Sequence, residues 1–283
     1  MAKILLYTCF ALTAFAFNSI LCRLALRTDE IDAASFTAIR LISGAVALIL
    51  IARFFDKKAE PGQGGNWLSA FFLFAYAICF SFAYISLTAG TGALILFGCV
   101  QLTMIGWALV RGERPKVLEW AGLAAALGGL IYLVFPGLTS PPLFSSALMA
   151  IAGISWGFYT LRGKGSSDPL GDTAGNFARS VPMIVLASLP FASAIHLSNR
   201  GILLAILSGA VTSGIGYTVW YAVLKHHTST RAAVLQLAVP ILAAWIGVAF
   251  LSEAATARLL IAAALILGGI ALTIAGRKTL TKT

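Results

Sequence analysis

Charge is scarce in this chain. Only 11% of its 283 residues are charged, while 59% are hydrophobic; a soluble domain carries about 25% charged residues. So few charges cannot cover a water-soluble surface, which excludes a soluble globular protein. Acids in the apolar interior are missing altogether. Asp29, Glu30, Asp32, Asp56, Glu60, Glu113, Glu119, Asp168, Asp172 and Glu253 all fall in loops or at the ends of apolar runs. Intramembrane acids are the usual proton relays and the usual partners of cationic solutes. Their absence argues against an antiporter built on a central carboxylate and favours a neutral or zwitterionic cargo.

Cysteine and histidine are also few. Cys9, Cys22, Cys79 and Cys99 lie inside apolar runs at irregular spacing, with no histidine beside them. Neither a disulfide nor a metal site is expected, and the four read as small packing residues. His196, His226 and His227 sit at run ends and read as interfacial anchors. No Ser-His-Asp set falls on one side. The stretch Gly157-to-Lys164 is one residue too long for a phosphate-binding loop, and Gly165 stands where that motif needs Ser or Thr. No enzyme and no cofactor are expected.

What the chain has is apolar length. Runs of about 18–24 residues, each able to cross a bilayer as a helix, recur over 4–26, 33–53, 67–88, 92–110, 118–135, 143–161, 174–195, 201–224, 230–251 and 257–276. The first follows a lone Lys3, is long, and lacks a small-residue cleavage site, so it reads as a span and not a signal peptide. A repeat is visible as well. Glu113 and Glu253 stand 140 positions apart, as do Gly128-Gly129 and Gly268-Gly269, within similar surroundings. The expected fold is an all-α membrane protein of ten helices, built from two five-helix repeats over 1–138 and 139–283. Five is odd, so the second repeat is inverted, the arrangement in which transporters hold a substrate at the midplane.

Basic residues set the expected orientation. With the N-terminus inside, Lys3, Arg53, Lys57, Lys58, Arg111, Arg114, Lys116, Arg162, Lys164, Lys225, Arg231, Arg277, Lys278 and Lys282 fall on the inner side, and only Arg27, Arg200 and Arg258 clearly outside. This bias places both termini in the cytoplasm. It also accounts for the net charge of +10 without nucleic acid.

Candidate functional residues are those that sit awkwardly in hydrocarbon. Phe72, Tyr76, Phe80 and Tyr84 are spaced by four and share one helix face. Tyr217, Trp220 and Tyr221 form the corresponding cluster in the eighth run. Either stripe lines a cavity or faces lipid; mid-run Tyr76 suits the cavity, because its hydroxyl wants a partner. The amides Gln101 and Gln236, and Asn18 beside Ser19, must face protein or a wet cavity. Trp156 and Tyr159 occupy the matching region of the sixth run. Such a pocket, apolar-walled with a few polar groups, suits a zwitterion with a bulky side chain.

Arg40 and Arg179 each lie about seven residues, roughly 10 Å, into a run. They either snorkel or bond helix-end carbonyls, or they bind a substrate carboxylate or phosphate. Pro182, Pro190 and Pro240 are candidates for helix bends, and Pro240, four residues after Gln236, is the expected hinge or gate. The fifth and tenth runs, with Gly122-x-x-x-Ala126, read as close-packed scaffold or a dimer face.

One family resemblance spans nearly the whole chain. Tyr84-x-x-Leu87, Gly92-Ala93-Leu94, Arg111-Gly112-Glu113 and Gly128-Gly129 resemble the ten-helix EamA-type branch of the drug/metabolite transporter superfamily. Tyr221-x-x-Leu224, Ala232-Ala233-Val234, Pro240, Ser252-Glu253 and Gly268-Gly269 repeat the pattern. The chain departs from it where Val100 aligns with Pro240. The resemblance implies an inner-membrane permease exporting metabolites through a cavity opened alternately to each side. The aromatic-rich spans are similar to those of bacterial exporters of aromatic amino acids. The expected partners are a small-molecule substrate and the lipid bilayer, with no nucleic acid, in a monomer or weak homodimer. The alternatives are a carrier of anionic metabolites, of organophosphate or nucleotide-sugar type, and a non-transporting membrane scaffold.

Overall fold

The computed structural model describes residues 2–55, 64–87, 89–112, 116–134, 142–251 and 257–278. Glu113, Ser252 and Glu253 of the repeat lie outside the described residues, as do the basic Lys57, Lys58, Arg114 and Lys282. Within the described residues the chain is helical, and its only strand-like pairing is an isolated bridge between Ile31 and Leu197. A lipid-embedded backbone has no water to bond, and the helix satisfies its N–H and C=O groups within one segment.

The first half contains α1 (Ala2–Arg27), α2 (Ala33–Phe55), α3 (Trp67–Ser86), α4 (Ala89–Val110) and α5 (Val117–Val134). The second contains α6 (Leu143–Gly163) and α7 (Pro169–Ser188), which continues as a 3₁₀ turn over Leu189–Ala194. A broken rod follows, made of α8 (Asn199–Ile206), a π-helical stretch (Leu207–Ile215) and α9 (Gly216–Leu224). Then come α10 (Ser229–Gln236), α11 (Ala238–Leu251) and α12 (Ala257–Lys278). Among the described residues, six stretches are long and apolar enough to cross a membrane: α1, α2, α3, α6, Pro169–Ala194 and Asn199–Leu224. Shorter apolar helices cover Ile95–Val110, Val117–Gly129 and Arg231–Ala243 among the described residues.

Local chemistry sets several boundaries. Asn66, Asp168, Ser198 and Thr228 each cap the helix that follows by accepting a backbone N–H. The expected run 174–195 begins five residues late. Its first turn carries Asp172 and looks polar, yet the Asp168 cap and Pro169 at the first helical position start the helix at residue 169. The ninth run is broken at Leu237, between α10 and α11. Pro240 offers no N–H to the carbonyl four residues back, that of Gln236, so the break sits where the proline permits it.

Packing between the halves is reciprocal. The first helix of each half lies against the third and fourth helical stretches of the other: α1 on the α8–α9 rod and α11, and α6 on α3 and α4. The second helices, α2 and α7, pack together, and so do α5 and α12. In this last pair a Cβ on Gly269 would lie 2.5 Å from the Gly122 carbonyl oxygen and 3.1 Å from the Ala126 Cβ. The Gly122-x-x-x-Ala126 pattern is thus used for close helix contact. Leu5, Leu102, Val110, Leu143 and Phe144 are exposed, while Asn18, Arg40, Gln101, Ser213 and Gln236 are buried. Polarity runs opposite to that of a soluble protein, because the solvent at the belt is lipid.

Candidate functional site

The reciprocal packing brings α1, α2, α3, α6 and the α8–α9 rod together around one polar cluster. Asn18 is its hub. Its Oδ1 accepts from Ser208 Oγ at 2.6 Å, Thr212 Oγ1 at 3.2 Å and Ser213 Oγ at 3.4 Å, and its Nδ2 donates to Tyr76 Oη at 3.3 Å. Tyr217 Oη donates to Tyr76 Oη at 3.4 Å. Arg40 does not snorkel: its side chain is buried, 1% exposed. It donates from Nε to Ser213 Oγ at 3.1 Å, and from Nη2 to Tyr217 Oη at 2.8 Å and Tyr76 Oη at 3.3 Å. The guanidinium also lies 5.2 Å from the Tyr76 ring centroid and 5.4 Å from that of Phe80.

Rings extend the cluster into a column. From one end it runs Tyr84–Phe80 (4.7 Å between centroids), Phe80–Tyr76 (5.3 Å), Tyr76–Trp156 (5.0 Å), Trp156–Tyr159 (5.7 Å) and Tyr159–Tyr221 (5.4 Å). Tyr217 lies against Trp156 at 4.6 Å with the rings tilted by 54°, and Phe15 meets both rings edge-on. Tyr84 and Tyr221, matched in the repeat, thus occupy opposite ends, as inversion of the halves requires. At its centre Phe15, Asn18, Ser19, Tyr76, Leu96, Phe97, Trp156 and Tyr217 line a cavity of only about 10 Å³. That is about one water molecule's worth of space, far below an ordinary ligand pocket. The site is packed shut.

The other sequence-predicted residues are placed unevenly. Gln236 accepts the Trp156 indole N–H at 2.6 Å and so orients a ring of the cavity wall. Gln101 donates to the Ala233 carbonyl and ties α4 to α10; it does not line the cavity. Phe80, Tyr84, Tyr159 and Tyr221 lie along the column but outside the cavity wall. Arg179 is separated from the cluster. Its Nη1 donates to the carbonyls of Gly64 at 2.6 Å and Gly175 at 3.0 Å, the carbonyl-bonding alternative of the sequence analysis. The two matched arginines therefore have different environments.

The sequence reading does not select Phe15, Ser208, Thr212 or Ser213, which the structure brings to the cluster. Phe15 precedes Asn18 by three residues, and Ser208 precedes Thr212 by four, so shared helix faces were available as a signal. The π-helical stretch had none. It lies tight on α2: a Cβ on Gly209 would be 2.0 Å from the Arg40 carbonyl oxygen. π-helical turns are often found at functional sites.

Hydrogen bonds between the halves close both ends of the column. At one end Asp32, ahead of α2, accepts the His196 N–H at 3.0 Å. Ser198 donates through N–H to the Glu30 carbonyl at 2.8 Å and through Oγ to the Glu30 carboxylate at 2.5 Å. Arg200 reaches Glu30 at 3.3 Å. At the other end Asp172, in the first turn of α7, accepts the Gly65 N–H at 2.7 Å, and Asn176 accepts the Asn66 N–H at 2.9 Å. Arg162 donates to Ser69 and Asn66, each at 2.9 Å. The two clamps are built alike: a carboxylate at the start of a half's second helix holds a backbone N–H of the other half's loop.

Comparison with known proteins places this geometry. The sequence profile of the EamA-like transporter family matches residues 2–135 and again 143–275. An uncharacterized protein of Pseudomonas aeruginosa is 47% identical over 275 residues, 97% of this chain and 96% of its own. A protein of Salmonella typhimurium named a probable amino-acid metabolite efflux pump is 27% identical over 216 residues, 71% of this chain and 72% of its own. A solved crystal structure superposes with a TM-score of 0.79 at 21% identity, covering 98% of this chain and 99% of that one, which is a likeness of fold.

Proposed function

The chain belongs to the EamA-like transporter family, and from that premise we propose that it exports small zwitterionic metabolites, foremost amino acids including aromatic ones. It is a multi-pass membrane transporter and not an enzyme. We place it in a bacterial inner membrane with both termini cytoplasmic, on the strength of its basic-residue bias.

The observation that carries the substrate reading is the buried column of rings interrupted by one polar cluster. Tyr76, Trp156, Tyr217 and Phe15 offer flat apolar faces, while Asn18, Ser208 and Thr212 offer amide and hydroxyl groups to a polar head. The Salmonella relative's name points to amino-acid metabolites as its own cargo. The like-built clamps at the two ends support alternating access. Opening one while the other holds would expose the cluster to one side at a time, with the closed state as the intermediate. A second reading, anionic metabolites as cargo, is favoured by one observation, the buried guanidinium of Arg40.

The test is transport by the purified protein in liposomes preloaded in turn with labelled phenylalanine, tryptophan, threonine, methionine, glutamate and a sugar phosphate. The expected result is efflux of the neutral amino acids, lost in Tyr76→Ala. Efflux of the anionic solutes alone would overturn the zwitterion reading. The break ahead of Pro240 supplies a second prediction. Pro240→Ala allows α10 and α11 to join through Leu237, so the folded yield stays near wild type while efflux falls about 10-fold or more. Wild-type efflux from that variant would remove the hinge role.

A further inference from the structure

Arg40 carries a permanent charge in the middle of the protein. Three of its hydrogen bonds go to neutral hydroxyls, those of Ser213, Tyr76 and Tyr217. Its Nη1 is buried with no hydrogen-bond partner. Among the described residues, no carboxylate bonds to it. The acids described, Asp29, Glu30, Asp32, Glu119, Asp168 and Asp172, all stand at helix ends or in loops. A buried charge held only by neutral groups is costly, and an anion beside it offsets that cost. Arg179 shows that the fold has another use for a matched arginine, since it is spent on backbone carbonyls. Arg40 has no such carbonyl bond.

We infer that Arg40 is the anchor for the oxyanion of the transported solute, the carboxylate of an amino acid, and that the solute's own charge completes the buried pair. This rests on the zwitterion reading above. Arg40 does not itself line the cavity; its partners Tyr76 and Tyr217 do. A carboxylate in the cavity therefore reaches the guanidinium by displacing the two phenol oxygens. A planar guanidinium with one unpartnered nitrogen, Nη1, beside one whose acceptors are neutral phenols, Nη2, suits a bidentate carboxylate.

The displacement also explains how binding would promote opening. Arg40 belongs to the first half, while Ser213 and Tyr217 belong to the second. The bonds from Nε and Nη2 to those two residues tie the halves across the site. A carboxylate that takes over Nη2 removes the Tyr217 tie between the halves, leaves the Ser213 bond to Nε in place, and leaves the charge paired. A solute lacking the carboxylate cannot do so without stranding the cation.

The experiment compares phenylalanine with phenylalaninamide, which keeps the ring and the ammonium and loses the anionic head. In wild-type liposomes phenylalanine efflux should exceed that of the amide by ~100-fold, because the amide forfeits the charge-assisted hydrogen bonds to the guanidinium. Arg40→Gln should abolish that ratio by lowering phenylalanine efflux alone; Arg179→Gln should leave the ratio intact. Arg40→Gln that keeps the ratio overturns the anchor while leaving amino-acid transport standing. If Arg40→Gln yields no folded protein, wild-type Trp fluorescence titrated with phenylalanine and phenylalaninamide decides. A preference of at least ~30-fold for the carboxylate supports the anchor, and equal affinities overturn it. If the wild type moves or binds only the sugar phosphate, the zwitterion reading fails. The anchor as stated, for an amino-acid carboxylate, then fails with it, and loss of phosphate efflux in Arg40→Gln would identify a phosphate anchor instead.

Discussion

Gly209→Val is expected to yield almost no folded protein, whereas Gly98→Ala and Gly128→Ala are expected to behave as wild type. A Cβ on Gly209 would stand 2.0 Å from the Arg40 carbonyl oxygen, 2.1 Å from Ser43 Oγ and 2.8 Å from the Arg40 carbonyl carbon. The Ser43 hydroxyl can rotate away, but the α2 backbone cannot yield without moving the whole helix off the π-helical stretch. Overpacking of a core costs about 1–3 kcal/mol even where side chains can adjust. Here backbone must move, and the Arg40–Ser213 bond is lost with it, so the effect should be at the top of that range or beyond. At Gly98 and Gly128 the added methyl meets nothing within 4 Å. Size-exclusion profiles and melting temperatures of detergent-extracted protein provide the check. A Gly209→Val variant with wild-type yield and melting temperature would mean that α2 and the rod do not pack as described.

The two clamps should respond in opposite senses. Asp172→Ala removes the acceptor of the Gly65 N–H, and Asp32→Ala that of the His196 N–H. A hydrogen bond to a charged group contributes about 1.5–3 kcal/mol, so local opening at the affected end should rise about 10- to 150-fold. Hydrogen exchange followed by mass spectrometry should show faster exchange at Gly65 and Asn66 in the first variant and at His196 in the second, with the opposite end unchanged or slower. Equal loosening of both ends in either variant would contradict independent gates.

The Asp32 clamp carries a pH prediction. Partial burial pushes its carboxyl upward, but the Ser35 hydroxyl and N–H, with the His196 and Ala34 N–H groups, outweigh this and hold it below the ordinary carboxylate value. A lowered folded-state pKa means that the ionised form favours the clamp. The contribution is fully present above the unfolded value of about 3.9 and is lost as pH falls through the lowered one. Glu30, Arg200 and the His196 side chain share this end. In a His196→Gln background, which keeps the backbone donor, protection at residue 196 should be flat from about pH 5 to 8 once intrinsic exchange is corrected. A change across that window would show that Asp32 is not the controlling group.

Much of the architecture was legible because it depends on composition and period. Long apolar runs with acids only at their ends determine a helical membrane protein, since no other open structure satisfies its backbone in lipid. Repetition of Gly128-Gly129 at Gly268-Gly269, and of Tyr84 at Tyr221, determined that two like units make up the chain. Tyr76, Trp156 and Asn18 could be picked as interior because a polar atom on a mid-run residue must find a partner.

Tertiary structure decided everything that depends on which helix faces which. Arg40 and Arg179 are alike in sequence position, yet one meets hydroxyls at the centre and the other meets backbone carbonyls near an end. Gln101 and Gln236 are alike too, yet one ties helices and the other aims a Trp ring. Ser208, Thr212 and Ser213 look like ordinary small residues until the π-helical turn directs them at Asn18. The loop acids Asp32 and Asp172 become clamps only when the opposite half presents a backbone N–H. The physical reason is common to all of these. A residue's period along its own helix records which face is apolar, but the partner of a buried polar atom lies on another segment. In Arg40's case that partner is 173 positions away, at Ser213.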